Sequence, residues 1–249
     1  MTKKMKRLIW GVLLIVSFFS FSVKALENEE IYYENDNGVR FTKSEYDFVS
    51  EFYYDGYQKF MTVDNYQRLK EAGVMLEKVK KVVYNENNGI QTLTDVTYQS
   101  ASKKLLLSYV CTSRCYASFQ ASWLTIANVR SYDLIGVYSP TANVLEAEGS
   151  SMAYSNSAFS PVEKNNTKNG ISSTFKLPTT DAKYVFTLDF NVPKGTKVYA
   201  SYQHAKKSIS LANSRKYTYA SSGYGGVFKF DSSVSSYYDG MGGVNTTLS

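Results

Sequence analysis

His204 is the only histidine in the chain, which makes it the first residue to consider for chemistry. A serine or cysteine hydrolase would use it as a general base oriented by a carboxylate. The chain has no Gly-x-Ser-x-Gly motif, and its sparse C-terminal acids, such as Asp189, show no pairing typical of a glycosidase. His204 continues the alternation of Val198, Ala200 and Tyr202 on one strand face. We therefore interpret it as a hydrogen-bonded packing residue, and we assign no catalytic residue.

Cys111 and Cys115 are the two cysteines of the chain, and three residues separate them. The flanking segments alternate as strands do, so the spacing predicts a hairpin whose ends lie at the separation a disulfide needs. A zinc site needs three or four ligands, and one histidine does not complete such a set. Redox pairs usually have two intervening residues. The pattern therefore predicts a structural disulfide, with no metal and no cofactor.

Aromatic and glycine residues are the remaining candidates for ligand binding. The chain holds 22 tyrosines and 14 phenylalanines, and a tyrosine ring offers sugars or protein surfaces an apolar face and a hydroxyl. A Gly-x-Gly-Gly-Val sequence occurs at Gly223–Val227 and again at Gly240–Val244. These glycines either mark sheet bends or let a ligand approach the backbone. The candidate ligand-binding residues are Tyr202, His204 and Tyr224.

Residues 1–25 have the pattern of a secretory signal peptide. Four basic residues within positions 3–7 precede the apolar run Leu8–Phe21, and Ala25 offers a cleavable end. The run is shorter than the ~20 residues of a membrane-spanning helix, although an uncleaved anchor is the alternative. We expect a secreted mature chain that begins at Leu26 and keeps no stable membrane anchor.

The net charge of the full chain comes largely from this signal. Five of the 28 basic residues and none of the 22 acidic residues leave with it, so the mature chain carries 23 against 22. This balance gives no reason to expect a nucleic-acid partner. Residues 26–100 hold 14 acids and 8 bases, whereas residues 101–249 hold 8 acids and 15 bases. The asymmetry fits either two solvated faces that attract each other or a basic surface for an anionic wall polymer or membrane.

Two short helices are predicted before the period changes. Thr42 and Glu45 have the spacing of a capping box, which predicts a helix over Lys43–Asp55. A second helix is predicted from Thr62 to Ala72, where Gly73 ends it.

Beyond residue 80 the apolar residues alternate with period two, which predicts strands. Residues 146–170 are rich in Ser, Asn and Gly and are predicted to form a long loop with at most one short strand. Residues 184–204 are predicted to be a hairpin turning at Pro193–Gly195. The other predicted strands are Lys80–Tyr84, Leu105–Cys111, Ala117–Trp123, Tyr132–Tyr138, Tyr217–Tyr219 and Val227–Phe230.

The expected fold is mainly β, an antiparallel β-sandwich or partly closed barrel with a short N-terminal helical hairpin. The expected divisions are a signal peptide at 1–25, a polar leader at 26–40, a helical segment at 41–79 and an antiparallel β domain at 80–249.

The stretches Gly38–Asp47, Arg130–Gly136 and Ser201–Ala205, with the Gly-Gly-Val ending, resemble uncharacterised exported proteins of low-GC Gram-positive gut bacteria. The resemblance implies secretion and a Gram-positive source, and it supplies no activity or site residue. The function we expect is a non-enzymatic extracellular binding or surface-interaction module, whose partner is a cell-wall glycan, a host glycan or a surface protein. The alternatives are a secreted hydrolase of wall polysaccharide or peptidoglycan, and a pore-forming or antibacterial protein.

Overall fold

The protein folds into antiparallel sheets with three helices, as seen in a computed structural model that describes residues 30–54, 56–85, 89–93, 102–154, 158–179, 182–221, 226–239 and 243–249. The signal segment, Leu26 and Tyr224 lie outside these residues. The described helices are α1 (Lys43–Phe52), α2 (Val63–Glu71) and α3 (Leu211–Ser214), with 3₁₀ turns at Tyr57–Lys59 and Ser235–Tyr237. None of the described helices is long and apolar enough to cross a membrane.

The first two helices begin where the sequence predicts, and α2 ends within one residue of its predicted end, but α1 ends at Phe52 rather than Asp55 because the backbone of Tyr53 is extended. Thr42 accepts from the backbone N–H of Glu45, whose side chain accepts in return from the Thr42 N–H, so the capping box is present. Thr62 caps α2 by accepting from the backbone N–H of Asn65, without a reciprocal bond. Gly73 follows this helix with a φ of +66°, a conformation that glycine adopts without steric cost.

The strands form two large sheets and two small ones. One sheet has five strands in the order β10-β11-β7-β13-β16, and the other has seven in the order β4-β3-β5-β6-β12-β8-β9. The pairs β1-β2 and β14-β15 stand apart. The strands are β1 (Tyr33–Glu34), β2 (Arg40–Phe41), β3 (Lys80–Asn85), β4 (Gly89–Leu93), β5 (Lys103–Cys111), β6 (Arg114–Trp123), β7 (Tyr132–Tyr138), β8 (Leu145–Tyr154), β9 (Ala158–Phe159), β10 (Glu163–Asn166), β11 (Gly170–Lys176), β12 (Val185–Pro193), β13 (Thr196–Gln203), β14 (Tyr217–Tyr219), β15 (Phe228–Phe230) and β16 (Gly243–Leu248).

The predicted hairpin at 184–204 is wrong, although both of its strands exist. β12 pairs with β6 and β8 in the seven-stranded sheet, whereas β13 pairs with β7 and β16 in the five-stranded sheet. Between them the chain crosses through Gly195, which has a φ of +83° and donates its N–H to the Leu248 carbonyl at 2.7 Å. Both strands turn their apolar residues into one core, and alternation alone does not distinguish a hairpin from such a crossing.

The predicted long loop at 146–170 is also wrong. β8, β9 and β10 lie in this segment, and β11 begins at its end. β10 is an edge strand whose side chains are mostly exposed. Because an edge strand is held by backbone hydrogen bonds and needs few apolar side chains, its polar composition hides it from a pattern based on hydrophobicity.

The predicted disulfide is present. Cys111 and Cys115 are directly opposed at the turn between β5 and β6, and their sulfur atoms are bonded. The Thr112 N–H donates to the Arg114 carbonyl at 2.9 Å and closes the three-residue loop.

Three apolar clusters hold the layers together. The largest takes buried side chains from both large sheets, among them Phe119, Leu188 and Val137. A second lies between the first two helices and the other face of the seven-stranded sheet, where Val110 and Tyr116 meet α1. The third lies on the five-stranded sheet, on the face turned away from the main core.

Candidate functional site

His204 lies at the centre of a buried polar network, just after β13 ends. Its Nδ1 lies 2.9 Å from Oδ2 of Asp133, which extends from β7 and is completely buried. The Tyr202 hydroxyl donates to the same carboxylate, and the Ala205 N–H donates to Oδ1 at 3.0 Å. Trp123 Nε1 donates to the Tyr202 hydroxyl at 2.8 Å. Asp133 thus accepts three hydrogen bonds, as a buried carboxylate requires.

A second carboxylate ties the same region to the start of β5. Asp239 accepts from the His204 N–H at 3.0 Å and forms an ion pair with Lys103. The Lys103 ammonium lies 4.9 Å from the centre of the Trp123 ring, a cation–π contact. The Trp123 ring meets the His204 ring edge to face, with centroids 4.7 Å apart. Asp133 and Trp123 therefore contact the imidazole itself, and Asp239 and Lys103 extend the network around it.

This network orients the imidazole but supplies no nucleophile in the described residues. The pairing with Asp133 makes Nδ1 the donor, so Nε2 is the nitrogen left for a proton or ligand. Nε2 has no hydrogen bond within the described part of the chain, and His204 is 7% exposed. Burial, and then the Asp133 charge, raise the pKa of the Tyr202 hydroxyl well above its usual value, so it stays a neutral donor. Of the predicted ligand-binding residues, Tyr202 and His204 come together, with Tyr202 fully buried.

Asp189 is another buried carboxylate, and it lies beneath the helices, away from the His204 network. Asp189 on β12 accepts from the Tyr53 hydroxyl at 2.6 Å and from the Tyr116 hydroxyl at 3.3 Å, both at Oδ2. Its Oδ1 has no hydrogen-bond partner among the described residues. The Ser118 hydroxyl on β6, directly opposite, lies close enough to lower the carboxyl's pKa but outside hydrogen-bond geometry. Burial dominates, and it raises the pKa of Asp189 to about 6.

The C-terminal cap, which we define as residues 205–221 and 226–238, covers the outer face of the five-stranded sheet. Its hairpin of β14 and β15 turns aromatic rings onto two strand glycines. A Cβ at Gly136 would lie 2.5 Å from the Phe228 ring, and one at Gly170 would lie 2.7 Å from the Tyr219 ring. The Tyr219 hydroxyl also bonds with Ser172 at 2.8 Å. These glycines therefore allow the aromatic rings of the cap to approach the sheet closely, because any side chain there would clash with the rings.

The opposite face of the same hairpin is polar and basic. Thr218 and Lys229 are directly opposed across β14 and β15, and both are exposed. An open groove of about 360 Å³ runs along this face, lined by Arg215, Lys216, Tyr217, Thr218, Lys229, Phe230 and Asp231. Over residues 205–238 the sequence has five basic residues and one acid. The cap thus presents positive charge outward and aromatic surface inward.

The sequence prediction missed the carboxylates of both buried networks. Asp133 and Asp189 each interrupt an apolar strand, and a charge in such a place is a usable signal because an ionised side chain is seldom buried unpaired. Their partners lie far along the chain, since His204 is 71 residues from Asp133 and Tyr53 is 136 residues from Asp189. The described residues hold no group of three or more His, Cys, Asp or Glu side chains arranged to bind a metal ion.

Compared with known proteins, the chain matches no family model, no curated protein and no solved structure.

Proposed function

We propose that this chain is a secreted, non-enzymatic binding module that attaches to extracellular surface polymers through the groove on its cap. The proposal includes an antiparallel β-sandwich with a helical hairpin on one outer face, and the shared apolar cluster of the two large sheets supports it. Export is supported by the pattern of residues 1–25, and N-terminal sequencing of secreted protein should read from Leu26. A start inside the folded region, or residues 1–25 retained in membranes, would contradict export.

One observation carries the binding function, namely the open groove with its exposed cations. The cap's aromatic residues and the Arg215–Glu163 ion pair hold it on the sheet, so its exposed lysines are not required for that attachment. Lys206, Lys207, Lys216 and Lys229 are exposed and form no salt bridge within the described residues. A surface with fixed shape and unneutralised charge attracts polymers of opposite charge.

The test is retention of purified residues 26–249 on insoluble cell-wall preparations, together with a glycan array. We expect retention, and we expect Lys229→Ala in the groove to weaken it by about threefold to tenfold. Lys194→Ala is the matched control, because Lys194 is exposed in the turn between β12 and β13 and does not line the groove. Failure of the folded protein to bind any wall preparation or glycan would refute the proposed function.

A secreted hydrolase is the second candidate, and the Asp133–His204 pair is the observation that favours it. A carboxylate that fixes the tautomer of an imidazole also occurs in hydrolase triads. Incubating the protein with wall polysaccharide and peptidoglycan tests this candidate. Hydrolysis that His204→Gln abolishes, with the melting temperature unchanged, would favour the enzyme and overturn the binding module.

A further inference from the structure

We propose that the groove on the cap binds a phosphodiester polymer of the bacterial cell wall, such as poly(glycerol phosphate). The inference rests on the proposed function, and it adds the chemistry of the ligand. Lys216 and Lys229 line the groove, and Lys206 and Lys207 extend the exposed positive charge of the cap beyond it. The single acid in the lining, Asp231, accepts from the Ser233 N–H at 2.8 Å and interacts electrostatically with Lys216, so it offsets part of this charge.

The positive charge of the cap is only partly offset by acids from the same half of the chain. Residues 101–249 hold eight acids. Asp133 and Asp189 are buried, and Asp239 is paired with Lys103. Three of the eight are therefore engaged in internal networks and add little negative charge at the surface. The surface field of this half is more positive than its composition indicates, which favours a ligand with many negative charges.

The exposed cations of the groove suit a flexible chain of phosphates. Planar, two-point recognition of carboxylates and phosphates is typical of arginine, whereas lysine binds phosphate as a point charge that sets no fixed orientation. The one arginine of the groove, Arg215, already bonds through Nε with Glu163 at 2.6 Å. The groove cations that form no salt bridge within the described residues are lysines, and the exposed Thr218 lies directly opposite Lys229.

The shape of the groove favours a polymer over a small anion. Its lining side chains are mostly exposed, so the groove does not enclose a small ligand. A single phosphate ion bound there would remain largely hydrated. A flexible polyanion instead gains affinity from several weak contacts and from the release of counterions. The two aromatic residues that line the groove, Tyr217 and Phe230, are only partly exposed because they pack against the cap's apolar cluster, so they offer single-stranded nucleic acid little open stacking surface.

The experiment measures binding of soluble poly(glycerol phosphate) to residues 26–249 across a range of salt concentrations. We expect binding that weakens with salt. The double variant Lys216→Glu/Lys229→Glu should lose affinity on the order of tenfold or more, and the slope of log Kd against log salt should fall by about 1–2. The matched control is Lys183→Glu/Lys194→Glu, which makes the same change in net charge at exposed lysines outside the groove. Both variants should melt within a few degrees of the parent.

The outcomes separate this inference from the proposed function. Equal loss in the control variant would overturn the groove as the site, and equally tight binding of polygalacturonate would overturn phosphate recognition. Tighter binding of a thymidine oligonucleotide would instead indicate a nucleic-acid site. Equal retention on intact walls and on walls stripped of phosphodiesters would overturn this inference and leave the binding module standing. No binding to either wall preparation would overturn both.

Discussion

The buried carboxyl of Asp189 should make the folded protein less stable as the pH rises from about 4 to above 6. The pKa of this group is 3.8 in an ordinary setting and about 6 in the fold. Since the folded pKa is raised, the group's contribution to stability is fully present below pH 4 and is lost as the pH rises through 6. Each pKa unit represents about 1.4 kcal/mol, so the contribution of Asp189 to the free energy of unfolding should fall by about 3 kcal/mol across this range.

The variant Asp189→Asn removes this titration and keeps the shape of the side chain. Its amide oxygen can accept from the Tyr53 and Tyr116 hydroxyls, and its amide nitrogen can donate toward Ser118. The difference in unfolding free energy between the variant and the parent should therefore shift by about 3 kcal/mol in favour of the variant between pH 4 and pH 7. Urea unfolding followed by tryptophan fluorescence at several pH values measures that difference.

The control is Asp231→Asn, which removes an exposed carboxyl whose pKa is lowered in the fold, whereas that of Asp189 is raised. The Ser233 N–H lowers the pKa of Asp231, so any stability this group adds is present above its unfolded pKa and is lost as the pH falls. Because this titration lies below the pH 4–7 window, the stability difference of Asp231→Asn should stay nearly constant where that of Asp189→Asn changes. The reasoning fails if the stability curves of the parent and Asp189→Asn stay parallel from pH 4 to pH 7.

Three further predictions follow from contacts elsewhere in the fold. Gly136→Ala should lower the unfolding free energy by about 1–3 kcal/mol, because its methyl group would meet Phe228, and Phe228→Ala in the same chain should cost less than the two single changes together; additive melting shifts would count against the clash. His204→Gln should lower the unfolding free energy by about 1–3 kcal/mol in chemical denaturation, because it disturbs a donor to the buried Asp133, and an unchanged midpoint would contradict this. Cys111→Ser should still fold with a loss of about 2 kcal/mol at most, since the loop it opens is short, whereas failure to give a native circular dichroism spectrum would show a larger role.

Local features of the fold were predictable because their causes are local. The capping box at Thr42 and Glu45, the stop at Gly73 and the paired cysteines at the β5–β6 turn each depend on a few neighbouring residues. Alternation also located the strand Tyr132–Tyr138 with its observed bounds. Sequence patterns succeed wherever the interaction that fixes a segment spans one turn or one strand.

Topology was not predictable, because two sheets share one core. A strand in either sheet shows the same alternation, with one face turned inward. The turn at Gly195 has the glycine and the positive φ typical of a hairpin turn. It nevertheless connects a strand of the seven-stranded sheet to a strand of the five-stranded sheet. What decides the pairing is the set of neighbours that each strand finds at long range, β6 and β8 for one and β7 and β16 for the other.

The number of tyrosines suggested a ligand-binding surface in the sequence, whereas in the structure several of them make internal contacts. Tyr53 and Tyr202 are buried, and each donates its hydroxyl to a buried carboxylate. Tyr219 lies over a strand glycine and fixes the cap. Tyrosine suits these positions because it fills apolar space while its hydroxyl satisfies a charge that burial would otherwise make costly. Tyrosine content is therefore explained in good part by internal structure, and the binding proposal depends instead on exposed cations such as Lys229, which no internal contact requires.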